Sequence, residues 1–158
     1  MRLLVRLKAM NAALHRSALA LLGTGGAATG LWAYLAPRHW YDSFPGLGMR
    51  WLPPLGPFNE HFATDVGAMF LAMAAVTAAA FVLVANQTLV RLTALMWLVF
   101  NTLHCAYHLS MLQMYNTRDA TLNAILLPLL VLAAAALFIP VRVGGQHDTS
   151  RKALSESA

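Results

Sequence analysis

The chain has 158 residues, of which 59% are hydrophobic and only 11% charged, against roughly 25% charged in soluble domains. That is too little polar surface for a water-soluble protein of 17.1 kDa. Formal charge is +5, but the basic residues gather mainly at the two ends, which fits membrane flanks and argues against nucleic-acid binding; the single cysteine, Cys105, excludes an internal disulfide and a Cys-rich zinc cage.

The first segment, residues 1–16, carries Arg2, Arg6, Lys8 and Arg16, with Leu3, Leu4, Leu7, Met10 and Leu14 at helical spacing. Two readings fit it: a short amphipathic helix on the cytoplasmic surface, or a solvated basic tail. The charged stretch is too long, and the apolar run behind it too complete, for a cleaved signal peptide. Four uncharged runs follow: Ser17 to Ala36, Val66 to Val90, Leu92 to Thr117 and Ala120 to Val141. About 20 apolar residues cross a hydrocarbon core of about 30 Å. Arg91 alone separates the second run from the third, and one helix through both would reach roughly 75 Å, so a hairpin near Asn86 and Gln87 is expected.

The predicted fold class is therefore all-α. It is an integral membrane bundle of four transmembrane helices over about 17–36, 65–85, 91–112 and 121–140, together forming a domain over 17–141. An outward loop covers 37–64, and a disordered cytoplasmic tail covers 142–158. Orientation follows the Lys/Arg bias. Arg2, Arg6, Lys8, Arg16, Arg91, Arg142, Arg151 and Lys152 fall on one side; Arg38, Arg50 and Arg118 fall on the other. Both termini are thus expected in the cytoplasm, and the chain in the cell membrane as a multi-pass protein.

Small residues predict where helices touch. The first span holds Gly26-Ala27-Ala28-Thr29-Gly30, a GxxxG face; alanines populate 72–80 and 133–136. Pro128 is expected to kink the last helix. Gly23-Thr24-Gly25-Gly26-Ala27-Ala28 fits a dinucleotide fingerprint in letters only, since no strand precedes it.

Two places interrupt the apolar pattern. One is the outward loop, with Trp40, Tyr41, Phe44 and Trp51 and the run Gly56-Pro57-Phe58-Asn59-Glu60-His61 leading to Asp65. Its aromatics suit the headgroup level, and the loop is expected to pack over the ends of the second and third spans. His61 and Asp65, four apart, share a helix face; Asn59 or Asp65 can instead cap that helix. The other place is the third span, where Asn101, His104 and His108 form one stripe. Intramembrane polar groups are costly and mark cavities or partners. His104 should lie roughly 12 Å and His108 about 6 Å inside the outer boundary.

Antiparallel neighbours bring the start of the second span and the end of the third to the same outer level. The expected site is therefore His61, Asp65, His104 and His108, with Glu60 and Asn101 hydrogen-bonded around them. Three chemistries suit this set: ligation of a transition metal (Zn, Fe or Cu), acid–base work by a histidine held by a carboxylate, and plain helix-to-helix hydrogen bonding. Bis-histidine haem is less suited, because ligands one turn apart on one helix cannot sandwich a porphyrin. Cys105 reads as a buried apolar thiol, the methionines as packing, and His15, His39 and His147 as surface or interfacial residues.

Gly56-Pro57-Phe58-Asn59-Glu60-His61 followed by Asp65-Val66-Gly67, with His104 and His108 downstream, resembles small bacterial four-helix membrane proteins grouped loosely around the DoxX type. The resemblance spans about 17–141, rests on hydropathy and topology, and carries no catalytic motif with it. Three functional classes remain open: a membrane protein with a metal-binding or redox-linked His/carboxylate site near the outer face, a non-enzymatic accessory or assembly subunit, or a transporter or channel, which four helices per chain could form only by oligomerising. The partners expected are the lipid bilayer, and either further copies of the chain or a larger membrane complex.

Overall fold

The computed structural model describes residues 2–140, with side chains from Asn11 onward. The proposed apolar stripe of Leu3, Leu4, Leu7 and Met10, the tail over 142–158 and His147 lie outside the described side chains. Five helices run in order: α1 (Arg2–Leu35), α2 (Pro37–Ser43), α3 (Glu60–Val82), α4 (Gln87–Ser110) and α5 (Thr117–Ala136). Four of these contain stretches long and apolar enough to cross a membrane: Asn11–Leu35, Glu60–Val82, Gln87–Ser110 and Thr117–Ala136. Leu and Val side chains project outward from them, with Leu103 67% and Leu132 62% exposed. That is the pattern of helices whose outer faces meet lipid rather than water.

Asparagines start three of the spans. Asn59, Asn86 and Asn116 each accept, through Oδ1, the backbone N–H of Phe62, Leu89 and Asp119. Each cap satisfies one of the orphan donors of a first turn, for about 1 kcal/mol. Because the caps and first turns are polar, α3, α4 and α5 begin four or five residues before the expected starts at about 65, 91 and 121. Pro128 sits inside α5, which continues through it to Ala136.

The spans form an up–down–up–down bundle in which α1 lies against α3 and α4 against α5, while the α3–α4 and α1–α5 seams are thinner. The α1–α3 seam is backbone on backbone. A Cβ on Gly67 would fall 2.6 Å from Tyr34 N, and one on Gly30 would fall 3.0 Å from the Gly67 carbonyl oxygen. Gly26, the other glycine of the GxxxG face, makes room for a ring instead: its Cβ would meet Trp97 Cη2 of α4 at 2.8 Å.

Trp97 is the point where three helices lock. Its ring lies over Gly26 of α1, and its Nε1–H donates to Thr77 Oγ1 of α3 at 2.7 Å, while the Thr77 hydroxyl donates to the Met73 carbonyl. Thr77→Val keeps the volume but orphans a buried indole N–H, at about 1–3 kcal/mol. Thermal unfolding of the full chain in detergent should show a clearly lowered midpoint, whereas an unchanged one would mean the bond contributes nothing net.

At the opposite end of the bundle from the 36–59 loop, α1 is tied to the end of the α5 segment. Asn11 Nδ2 donates to the Pro140 carbonyl, and His15 Nε2 lies 3.0 Å from the Ile139 carbonyl oxygen. His15 is fully buried, which removes the surface half of its surface-or-interfacial reading: its imidazole answers a carbonyl left free beyond the last helix turn. Residues 11–15 and 139–140 therefore share one end of the bundle.

The 36–59 loop folds on itself. Trp40 and Trp51 are buried, and Trp40 clusters with Ala33 of α1 and Ala63 of α3, with Phe44, Phe58 and Leu52 packed around them. Tyr41 OH donates to the Gly56 carbonyl, closing the loop across fifteen residues. The cap consequently covers the ends of the first and second spans, α1 and α3, rather than the second and third. Small residues at the α1–α3 seam, Ala33 and Ala63, leave the space its aromatics fill.

Candidate functional site

The rotation of α3 is set by its contact with α1. Ala63 and Gly67 are buried in that contact. Residues 61 and 65 each lie two positions from that stripe, about 200° round the helix, so they point the other way. His61 Nε2 and Asp65 Oδ2 are 3.3 Å apart, with side chains 86% and 65% exposed. Glu60 is exposed in the first turn, where its charge suits the helix N-terminus.

His104 and His108 do come together. Their ring centroids are 4.3 Å apart at 60°, and the His104 ring stacks on Phe100 at 5.2 Å. Phe70 of α3 meets Phe100 edge-on at 5.1 Å, which holds that ring in place. His108 is buried, and its Nδ1 lies 3.1 Å from the Tyr115 hydroxyl, leaving Nε2 unengaged by that bond. No hydrogen bond engages the His104 ring among the described residues. Asn101 is buried one turn deeper, with its Nδ2 3.5 Å from the Leu130 carbonyl of α5.

Among the described residues no three His, Cys, Asp or Glu side chains lie close enough to share one metal ion. The expected set of four is thus two separate pairs: an exposed His61–Asp65 pair on α3, and a His104–His108 pair on α4.

The sequence reading missed the α5 side of this region. The Asn101–Leu130 contact sets an antiparallel register in which His108, seven residues further along α4, lies level with Asn123, seven residues back along α5. Asn123 is fully buried; its Nδ2 donates to the Asp119 carbonyl, and its Oδ1 meets no donor. Asp119 is buried too, with Oδ2 accepting from Asn116 Nδ2 and Oδ1 unpartnered. Two polar residues four apart at the head of an otherwise apolar span were a readable signal. Burial pushes the Tyr115 phenol up to about 12, with Tyr107 and Asp119 adding to the shift. Tyr115 therefore stays protonated, able to donate to or accept from His108, throughout the neutral range.

Cys105 is a buried free thiol on the same helix. Comparison with family models, with curated proteins and with solved structures returned no match. The class defined here is thus structural: a helical bundle with four candidate membrane spans and a cluster of polar side chains at its loop end.

Proposed function

We propose that this is a multi-pass protein of the cell membrane, with both termini in the cytoplasm, whose working site is the His104–His108 pair near the outer face, holding one transition-metal ion. The orientation rests on eight Lys and Arg at one end against three at the other. The ligation rests on one observation: two imidazoles one turn apart, 4.3 Å between centroids, with His108 Nδ1 occupied by Tyr115 so that Nε2 is free. Metal-bound histidines characteristically use one ring nitrogen for the metal and the other for such an orienting partner. Two neutral imidazoles suit Zn(II), Cu(II) or Fe(II), and the remaining coordination positions fall to ligands from outside the pair. His61 and Asp65 form no part of this set.

The test is elemental analysis of the full chain purified in detergent, beside His104→Ala/His108→Ala. Metal near one per chain, absent from the double variant, supports the reading; no metal taken up by either form after loading with Zn(II) or Cu(II) overturns it. Tyr115→Phe should keep the metal but weaken its binding about tenfold, the lower end for loss of an orienting partner. Competition with a chromophoric chelator reads that change.

A further inference from the structure

The loop cap carries an open pocket of about 520 Å³ whose lining includes Trp32, His39, Asp42, Ser43, Leu47 and Arg50. It is distant in chemistry from the imidazole pair, containing one acid, one guanidinium, one imidazole and exposed apolar groups. Trp32 belongs to the last turn of α1's candidate span, so the pocket lies where a span leaves the hydrocarbon, at headgroup level.

The pairing around Asp42 leaves Arg50 available to an anion. Asp42 Oδ2 is bound by Arg38 Nε at 2.7 Å, and its Oδ1 lies 3.6 Å from Arg50 Nη2. Arg50 Nε also donates to the Asp42 carbonyl at 3.0 Å. Arg38 is not among the lining residues, but by pairing with the Asp42 carboxylate it leaves the Arg50 guanidinium, about two-thirds exposed, with donors to spare. His39 adds a further donor. The Trp32 indole can only donate, so its 2.8 Å bond to His39 Nδ1 makes that nitrogen the acceptor and leaves the proton on Nε2.

Beside these donors stands an apolar group with no partner in the fold. Gly46, Leu47 and Gly48 all have positive φ, at 103°, 55° and 77°, and the Leu47 side chain is 90% exposed. A left-handed backbone at a leucine is uncommon and sits where something other than local preference holds it. An anion-seeking pocket with an unburied leucine on its rim, at the edge of a span, combines the two chemistries of a phospholipid.

We infer that this pocket holds the phosphodiester of one phospholipid, contacted by Arg50, with Leu47 entering the acyl-chain region. The inference depends on the chain spanning a bilayer and is independent of the metal site. Native mass spectrometry of the full chain, released from dodecyl maltoside, tests it by titration with dioleoylphosphatidylglycerol. Dioleoylglycerol serves as the phosphate-free control and glycerol phosphate as the chain-free one. Arg50→Gln should weaken phospholipid binding about tenfold, the loss of one charged hydrogen bond, and Leu47→Ser should weaken it as well. Both controls should bind more weakly than the phospholipid. Equal binding by wild type and both variants, with unchanged thermal unfolding, would overturn the site. If glycerol phosphate binds as tightly as the phospholipid and Leu47→Ser has no effect, the ligand is a soluble phosphate ester and the lipid assignment fails.

Discussion

Gly67→Ala should be among the most damaging single-methyl additions available to this chain. The new Cβ would fall 2.6 Å from Tyr34 N and 2.9 Å from both Tyr34 Cα and Cβ. These are backbone and first-side-chain atoms of α1, so no flexible tip can swing away, and the two helices must separate. Overpacking of this kind costs typically about 1–3 kcal/mol, and the cost here belongs at the upper end, because the α1–α3 seam is the most extensive in the bundle. Moving α1 also pulls Gly26 from beneath Trp97 and strains the Trp97–Thr77 bond. Gly25→Ala, on the same helix but with nothing within 4 Å of its built Cβ, supplies the control: unchanged or stabilised by up to about 1 kcal/mol. Thermal unfolding of the two variants in one detergent compares them; equal midpoints would mean that close backbone approach does not hold α1 to α3.

Gly67 also shows where legibility ended. The GxxxG of α1 announced a close-packed face, but α3 offers a single glycine amid alanines, and nothing in its spacing says that this one meets a backbone. That single contact fixes the rotation of α3, and the rotation turns His61 and Asp65 outward. Periodicity could say that the two share a face; it could not say which way the face looks, since α3 is apolar nearly all round and gives no dominant stripe. α4 differs. Its His104 and His108 are neighbours within one helix, so their pairing needed only the 3.6-residue turn, and it was readable. Asp119 and Asn123 were equally readable in principle, as polar residues four apart, but their register against His108 depends on how α4 and α5 dock. His15 was missed for a related reason: a histidine among basic residues reads as surface unless the far end of the chain is known to return to it.

The second large effect is expected from the metal site proposed at the histidine pair. Wild-type chain loaded with Zn(II) should gain thermal stability, because an ion bound to the folded state alone shifts unfolding by mass action. His104→Ala/His108→Ala should gain none. Either single variant leaves one imidazole and no chelate, so affinity should fall by at least about a hundredfold, beyond the roughly 10–100-fold attached to losing a mere orienting partner. Tyr115→Phe should thus lie between wild type and the single variants. Protons compete with the metal for the ligating nitrogen of each ring, so binding should weaken as pH falls, and more steeply for the pair than for either single variant. His61→Ala is the decisive contrast: exposed on the far face of α3, it should leave metal content and the stability gain untouched. Loss of metal in His61→Ala would mean that α3 and α4 contribute jointly to one site, in a bundle arrangement other than the one in which Gly67 meets Tyr34. A metal-dependent gain that survives removal of both His104 and His108 would remove this pair from the binding site altogether.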